Sequence, residues 1–165
     1  TVGPPGASAP TATDGIQLPA DLPFSFVDPE GFERNDFGWP IDPPGFTRTL
    51  TQLKERYADA LPPIYITENG GAFNDEPGPD GQVHDQRRID YTDKHLQALH
   101  DAMYEGVTVE GYFHWSFMDN FEWASGYSMR FGLVHIDYDT LVRTPKDAFR
   151  WYQQFIAESR SPVSD

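Results

Sequence analysis

The chain has 165 residues, and its 12 Lys and Arg stand against 26 Asp and Glu, which gives a formal net charge of −14. This acidic balance argues against a nucleic-acid partner and against an anionic membrane surface, because both require cations that neutralise phosphates. The lack of cysteine excludes a disulfide scaffold, a cysteine-based zinc site and a thiol nucleophile.

The start of the chain predicts little regular structure. Residues 1–23 are rich in Pro, Gly, Ala, Ser and Thr and are expected to form a flexible segment. They have neither the charged start nor the apolar core of a signal peptide, so a cytoplasmic location is expected. Residues 24–45 mix prolines with aromatic side chains, which predicts a long loop packed on another part of the molecule.

A helix is predicted over residues 46–61, where Phe46, Leu50, Leu53 and Tyr57 form one apolar stripe. The following stretch, IYITENGG at 64–71, predicts a strand of β-branched and aromatic residues that two glycines interrupt.

Glu68 lies at the carboxyl end of this strand, which is expected to be buried on both faces. That position is unfavourable for an acid unless its charge is used or paired.

Residues 69–85 form a turn-rich loop, and a second helix is predicted over residues 86–105 with Gly106 as its stop. A second strand is predicted at 109–115. The residues of the second helix expected to face inward are Ile89, Leu96, Leu99 and Met103.

The last third of the chain adds a hairpin arm and a helix. Residues 131–137, FGLVHID, predict a short strand or hairpin arm. The final helix is expected to begin with Thr144 as its cap and Pro145 in its first turn.

This order of elements predicts an α/β fold with parallel strands covered by helices. Two parallel strands do not form a stable sheet alone, because their faces and edges need partners. The sequence therefore indicates a piece of a larger α/β structure.

Both predicted strands end in residues that suit chemistry. Glu68 ends the first strand and Trp115 ends the second, and parallel α/β barrels carry their active sites at the carboxyl ends of strands. From residue 112 to residue 123, aromatic side chains alternate with Asp119, Asn120 and Glu122. Aromatic surfaces beside hydrogen-bonding groups suit a sugar ring, which has apolar faces and a polar rim.

Each of these features also has a structural explanation. Glu68 could be the partner of a structural ion pair, the aromatic residues could be core, and DNFEW could be a turn at a helix start. Their recurrence on consecutive strand ends of one βαβ unit favours the functional interpretation.

The motifs ITENG at 66–70 and WSFMDNFEW at 115–123 resemble glycoside hydrolase family 1, the β-glucosidase family. DFGWPI at 36–41, RIDY at 88–91 and RFGLVHID at 130–137 extend the resemblance over most of the chain. The resemblance implies that residues 24–165 are the C-terminal part of one (β/α)₈ TIM barrel, including about strands seven and eight with their helices. The remaining strands would be missing or supplied by a complementary N-terminal chain.

The resemblance also implies roles for single residues. Glu68 matches the catalytic nucleophile of a retaining β-glycosidase, and the acid/base Glu lies in an Asn-Glu-Pro motif that this chain lacks. Trp115, Glu122, Trp123 and Phe131 match residues that bind the sugar. A carboxylate at Glu122 predicts a β-glucoside, β-galactoside or β-fucoside without phosphate, and a cis peptide is expected at Trp115–Ser116.

The resemblance implies no metal and no cofactor. The five histidines have no metal-ligand spacing and are expected to be surface or hydrogen-bonded residues. Two other interpretations stay open, namely a carbohydrate-binding module without catalysis and a fragment that only completes another protein's barrel.

Overall fold

The computed structural model describes residues 29–159 together with the backbone of residues 2–3 and 25–26. Two short strands, β1 (Val2–Gly3) and β2 (Ser25–Phe26), pair antiparallel. The rest of residues 1–23 lies outside the described residues, so the flexibility predicted for that segment stays a prediction.

The first helix, α1 (Pro43–Tyr57), begins at Pro43 and not at Phe46 as its apolar stripe predicts. Asp42 explains the earlier start, because its side chain accepts a hydrogen bond from the Gly45 N–H at 2.9 Å. The prolines at the start are tolerated because the first helical turn needs no N–H donors. A 3₁₀ turn (Ala58–Ala60) then leads into strand β3 (Ile64–Asn69).

Helix α2 (Gln86–Tyr104) connects β3 to strand β4 (Val109–His114), and the two strands pair in parallel as the alternation of elements predicts. The predicted stop at Gly106 is confirmed. Its φ of +88° suits glycine. The Gly106 N–H donates to Met103 O at 2.8 Å and the Val107 N–H donates to Ala102 O at 3.1 Å, which satisfies the last carbonyls of α2.

The buried face of α2 differs from the predicted one. Leu99 is buried as expected, but Met103 is 45% exposed. The first half of α2 packs on polar loop groups, since Arg88 donates to the carbonyls of Gly71 and Phe73 at 2.9 Å each. The buried residues of α2 are Arg88, Thr92, His95, Ala98, Leu99 and Ala102.

The segment after β4 contains a 3₁₀ turn (Trp123–Ser125) and an antiparallel pair, β5 (Val134–Ile136) and β6 (Arg143–Pro145), followed by α3 (Asp147–Ser159). The hairpin predicted from residues 131–137 is confirmed. The predicted cap of the last helix is wrong, because Thr144 pairs with His135 inside the hairpin. Asp85 supplies the contact instead, since its Oδ1 accepts from the Ala148 N–H at 2.8 Å.

An apolar core lies between the helices and one face of the β3–β4 pair. Its buried residues are Leu50, Leu99, Ala102 and Val107, and partly buried residues such as Ile64 and Ile66 pack against them. Tyr65 and Thr67 alternate with these positions and are exposed. The prediction that this strand is buried on both faces is therefore wrong for this chain, because the described residues place no layer on the second face.

No helix in the described part of the chain has both the length and the apolar composition needed to cross a bilayer.

Candidate active site

The parallel pairing of β3 and β4 brings two predicted site residues to the same edge of the sheet. Glu68 is the penultimate residue of β3 and is exposed. Trp115 directly follows β4, and its N–H donates to Asn69 O at 2.9 Å. Asn69 is also held by its side chain, which accepts from the Tyr112 hydroxyl at 2.8 Å. The carboxyl ends of both strands are thus locked side by side.

One cavity brings together all of the predicted site residues. Its volume is about 400 Å³. Glu68 from β3 lines it, together with four residues from the segment after β4. The full lining is Trp39, Glu68, Gly70, Trp115, Glu122, Trp123 and Phe131. The site therefore combines residues from three separate parts of the chain.

Backbone contacts fix Trp115 and Phe131 relative to each other. The expected cis peptide at Trp115–Ser116 is present. The Ser116 N–H donates to Phe131 O at 3.0 Å, and the Leu133 N–H donates to Ser116 O at 2.9 Å. This pairing holds the segment that contains Phe131 directly against the end of β4.

Gly70 is required by the close approach of the two strand ends. A Cβ atom at this position would lie 1.6 Å from the carbonyl oxygen of Trp115, which is far inside van der Waals contact. The sequence explanation of Gly70 as a strand breaker is therefore incomplete. The glycine also allows β3 to approach Trp115.

Glu122 and Trp123 lie at the start of a tight turn. The Glu122 N–H donates to Gly126 O at 2.6 Å, and Trp123 adopts a positive φ of +37°. Trp123 is 83% exposed, so its ring forms an open wall of the cavity in this chain.

Trp39 is a site residue that the sequence did not identify. Its ring stacks on Phe37, with centroids 4.5 Å apart, and lies 6.0 Å from the ring of Phe131. Asn35 shapes this loop, because its side-chain oxygen accepts from the N–H groups of Phe37 and Trp39 at 3.1 and 3.0 Å. The DFGWPI motif was the available signal, but its contact with Phe131 depends on residues far apart in the chain.

The charge of the cavity is negative. Glu68 and Glu122 are its carboxylates, and none of the described lining residues is cationic. Aromatic walls with two carboxylates suit a neutral ligand rich in hydroxyl groups, because the rings cover apolar faces while the carboxylates accept hydrogen bonds.

The described residues contain no group of three or more His, Asp or Glu side chains that could hold a metal ion. His95 follows the expectation of a hydrogen-bonded histidine, with Nδ1 2.8 Å from Tyr91 O. His114 does not, because both nitrogens of its ring are buried without a hydrogen-bond partner among the described residues. Burial lowers the pKa of His114 to about 3, so this ring is neutral and packs 6.0 Å from the ring of Tyr152.

A cavity at the carboxyl ends of two parallel strands joined by a helix is the arrangement found at the active-site edge of α/β barrels. A model of glycosyl hydrolase family 1 matches residues 10–161. The chain belongs to this family.

Two curated relatives place the chain more closely. It is 46% identical over 156 residues to a bifunctional β-D-glucosidase/β-D-fucosidase of Bifidobacterium breve, covering 92% of this chain and 31% of the relative. It is 48% identical over 143 residues to β-glucosidase A of Thermotoga maritima, covering 86% and 31%.

A solved structure of the T. maritima β-glucosidase in complex with deoxynojirimycin superposes with a TM-score of 0.77 at 47% identity. The match covers 81% of this chain and 30% of that one. This chain is therefore a portion of a (β/α)₈ barrel of the family 1 β-glucosidase type, and it spans about 30% of the length of the relatives it matches.

Proposed function

We propose that this chain forms the nucleophile side and most of the sugar-binding side of a retaining β-glycosidase, with the remainder of the barrel supplied by residues outside it. The observation that carries the proposal is the single cavity that Glu68 shares with Trp115, Glu122, Trp123 and Phe131. Family membership supports hydrolysis of glycosidic bonds as the reaction.

Glu68 is the proposed nucleophile. Retaining glycosidases use two carboxyl groups about 5–5.5 Å apart, one on each side of the bond that is cleaved. The carboxylate of Glu68 attacks the anomeric carbon and displaces the aglycone oxygen, which forms a covalent glycosyl-enzyme. The second carboxyl group protonates that oxygen and then activates the water that releases the sugar.

This second carboxyl group is proposed to lie outside the chain. The sequence has no Asn-Glu-Pro motif. The isolated chain is therefore expected to be inactive, and the complementary N-terminal part of the same barrel is its expected partner.

The other lining residues are proposed to bind the sugar. Trp115 and Phe131 offer ring surfaces to its apolar face, Glu122 accepts hydrogen bonds from adjacent hydroxyl groups, and Trp123 donates its indole N–H to another. Glu122 and the lack of a described cationic lining residue disfavour a phosphorylated sugar. The β-D-glucosidase and β-D-fucosidase activities of the B. breve relative support terminal β-glucosides and β-fucosides as substrates. β-Galactosides are included because the resemblance to the family implies them.

The test uses a hybrid barrel in which this chain replaces the matching segment of T. maritima β-glucosidase A. Glu68→Gln preserves shape and removes the nucleophilic charge, so kcat/KM for an aryl β-glucoside is expected to fall by about 10³-fold or more. Glu110→Gln is the matched control, because Glu110 lies on the neighbouring strand, outside the lining of the cavity, where it accepts from the Tyr65 hydroxyl.

Comparing kcat/KM of Glu68→Gln and of Glu110→Gln with that of the unmodified hybrid barrel tests the assignment of the nucleophile. Loss of activity in Glu68→Gln with near-normal activity in Glu110→Gln is the expected result. Activity in Glu68→Gln close to that of the unmodified hybrid barrel would contradict the assignment of the nucleophile. Sugar binding without activity in the unmodified hybrid barrel would favour the carbohydrate-binding alternative, to which the exposed Trp123 is suited.

A further inference from the structure

A second group of charged residues lies directly behind the cavity and does not line it. The side chains of Arg88, Asp85, Asp119 and Lys146 are fully buried, and those of Asp75 and Arg130 are nearly so. We call this set the ion network. Its contacts follow the order Asp85, Arg88, Asp75, Lys146, Asp119, Arg130. Opposite charges alternate along it, so each buried group faces at least one partner of opposite sign.

One half of the ion network holds the segment that follows Glu68. Arg88 donates to Gly71 O and Phe73 O at 2.9 Å each and also pairs with Asp75. Gly71 is three residues from Glu68. These contacts therefore fix the path of the chain as it leaves the proposed nucleophile.

The other half holds the segment that contains Phe131. Asp119 accepts from the Gly132 N–H at 2.9 Å and from Arg130 Nη1 at 2.9 Å. The two residues that flank Phe131 are thus bound to one buried carboxylate. Gly132 is required there, because a Cβ atom would lie 2.1 Å from the backbone nitrogen of Asp119.

The two halves meet at Arg130 O, which accepts from the Phe73 N–H at 3.0 Å and from Arg88 Nη2 at 3.2 Å. They meet again at Lys146. Its Nζ lies 3.3 Å from Asp75 Oδ2 and 3.3 Å from Asp119 Oδ1, so one ammonium group bridges the loop after β3 and the loop after β4. Lys146 does not line the cavity. Any effect of this residue on the sugar site must therefore act through the carboxylates that it holds.

We propose that Lys146 is a positioning residue for the sugar site, fixing the Glu68 side against the Phe131 side. This inference rests on the proposed function. Apolar groups could hold these loops with similar stability, because replacing a whole buried ion pair with apolar groups is often neutral, although removing one partner alone is costly. Beside the hydrogen bonds to Arg130 O, Lys146 adds a side-chain bridge between Asp75 and Asp119 that restricts the distance between the two loops.

The experiment compares Lys146→Met in the hybrid barrel with the unmodified hybrid barrel. Asp75 keeps Arg88 as a partner and Asp119 keeps Arg130, so the variant is expected to fold. The positioning role predicts a roughly tenfold or larger fall in kcat/KM, because small displacements of positioned groups reduce rates strongly. It also predicts a rise of similar size in the Kd of deoxynojirimycin, measured by calorimetry. Lys146→Gln keeps a hydrogen-bond donor. Its kcat/KM and its Kd for deoxynojirimycin are expected to lie between those of Lys146→Met and those of the unmodified hybrid barrel.

Two controls separate positioning from stability. Lys94→Met removes the same charge from an exposed ion pair with Glu33. Leu99→Ala destabilises the apolar core away from the cavity. Both are expected to keep kcat/KM and the Kd of deoxynojirimycin within about twofold of the unmodified values at a temperature where every variant is folded.

If kcat/KM and the Kd of deoxynojirimycin for Lys146→Met equal those of Leu99→Ala, the positioning role is overturned, whatever the melting temperature of Lys146→Met. An unmodified hybrid barrel that binds deoxynojirimycin without hydrolysing glycosides would contradict the proposed function instead, and the Kd would then test Lys146 by itself. If Lys146→Met does not fold, Lys146→Gln decides. Unchanged kinetics and Kd in that variant would overturn the proposal.

Discussion

The two buried regions of this chain are built from different chemistry. Between the helices and the sheet, Leu50, Leu99, Ala102 and Val107 form an ordinary apolar core. Behind the cavity, the ion network joins three carboxylates to three cations. The apolar core needs only shape and burial, whereas the ion network depends on direction and distance, because each carboxylate must meet specific donors.

The two regions also hold different parts of the molecule in place. The apolar core attaches helices to strands, and its packing density sets the stability of that attachment. The ion network contacts the loop that follows Glu68 and the segment that contains Phe131, where a shift of a single ångström matters. Variants of the two regions should therefore separate stability from activity.

The largest effect on stability is expected from Arg88→Met. Its guanidinium is fully buried and pairs with Asp75 and Asp85, so removing it leaves uncompensated buried charge. The free energy of unfolding of the hybrid barrel should fall by about 3–5 kcal/mol. Denaturant titration measures this. A loss below about 1 kcal/mol would mean that the ion network contributes little more than a surface pair.

A somewhat smaller loss is expected from Leu99→Ala, which creates a cavity in the apolar core. The free energy of unfolding should fall by about 3 kcal/mol. The same denaturant titration, with kinetics on the folded variant, should show unchanged kcat/KM. A large fall in kcat/KM would show that the two regions are coupled and that the contrast between them is wrong.

Gly70→Ala tests the close approach at the strand ends. The added Cβ would meet the Trp115 carbonyl oxygen at 1.6 Å, so β3 or Trp115 must move. We expect kcat/KM to fall by about 100-fold with a modest change in melting temperature. Gly78→Ala is the control, since its nearest neighbour is the side chain of Asp80 at 3.1 Å. Equal kinetics for the two variants would contradict the steric argument.

The smallest effect on stability is expected at His84, an exposed residue of the loop at 69–85 that contacts Asp147 at the start of α3. Hydrogen bonds to Asp147 and then to Asp80 raise the pKa of His84. Because the folded pKa exceeds the unfolded one, the protonated ring stabilises the fold below about pH 6.5, and this contribution is lost as the pH rises through the folded pKa.

His84→Gln should therefore remove the fall in melting temperature above about pH 6.5 that this ring contributes. Identical pH profiles for the unmodified hybrid barrel and His84→Gln would show that the contacts with Asp147 and Asp80 do not persist in solution.

The sequence predicted the parts of this structure that depend on local pattern. Strand β3, the stop of α2 at Gly106 and the parallel pairing follow from β-branched runs, glycine and alternation. The start of α3 was misplaced, because Thr144 and Pro145 resemble a helix start locally, while pairing with β5 takes them into a strand.

The ion network was not predicted for a similar reason. A charged residue such as Arg88 or Lys146 is expected at the surface. Its burial depends on partners up to 71 residues away, as in the pair of Lys146 and Asp75. The sequence alone does not identify Trp39 as a site residue for the same reason, because only the folded chain places it beside Phe131. Long-range contacts thus account for most of what the sequence pattern did not reveal.

The measurement that tests the central claim most directly is covalent trapping on the hybrid barrel. A 2-deoxy-2-fluoro-β-glucoside with a good leaving group is added, and the labelled peptide is mapped by mass spectrometry. The account predicts one sugar attached to Glu68, because a slowed second step allows the glycosyl-enzyme to accumulate. A barrel that binds deoxynojirimycin but carries no label, or carries it on another residue, would contradict the account.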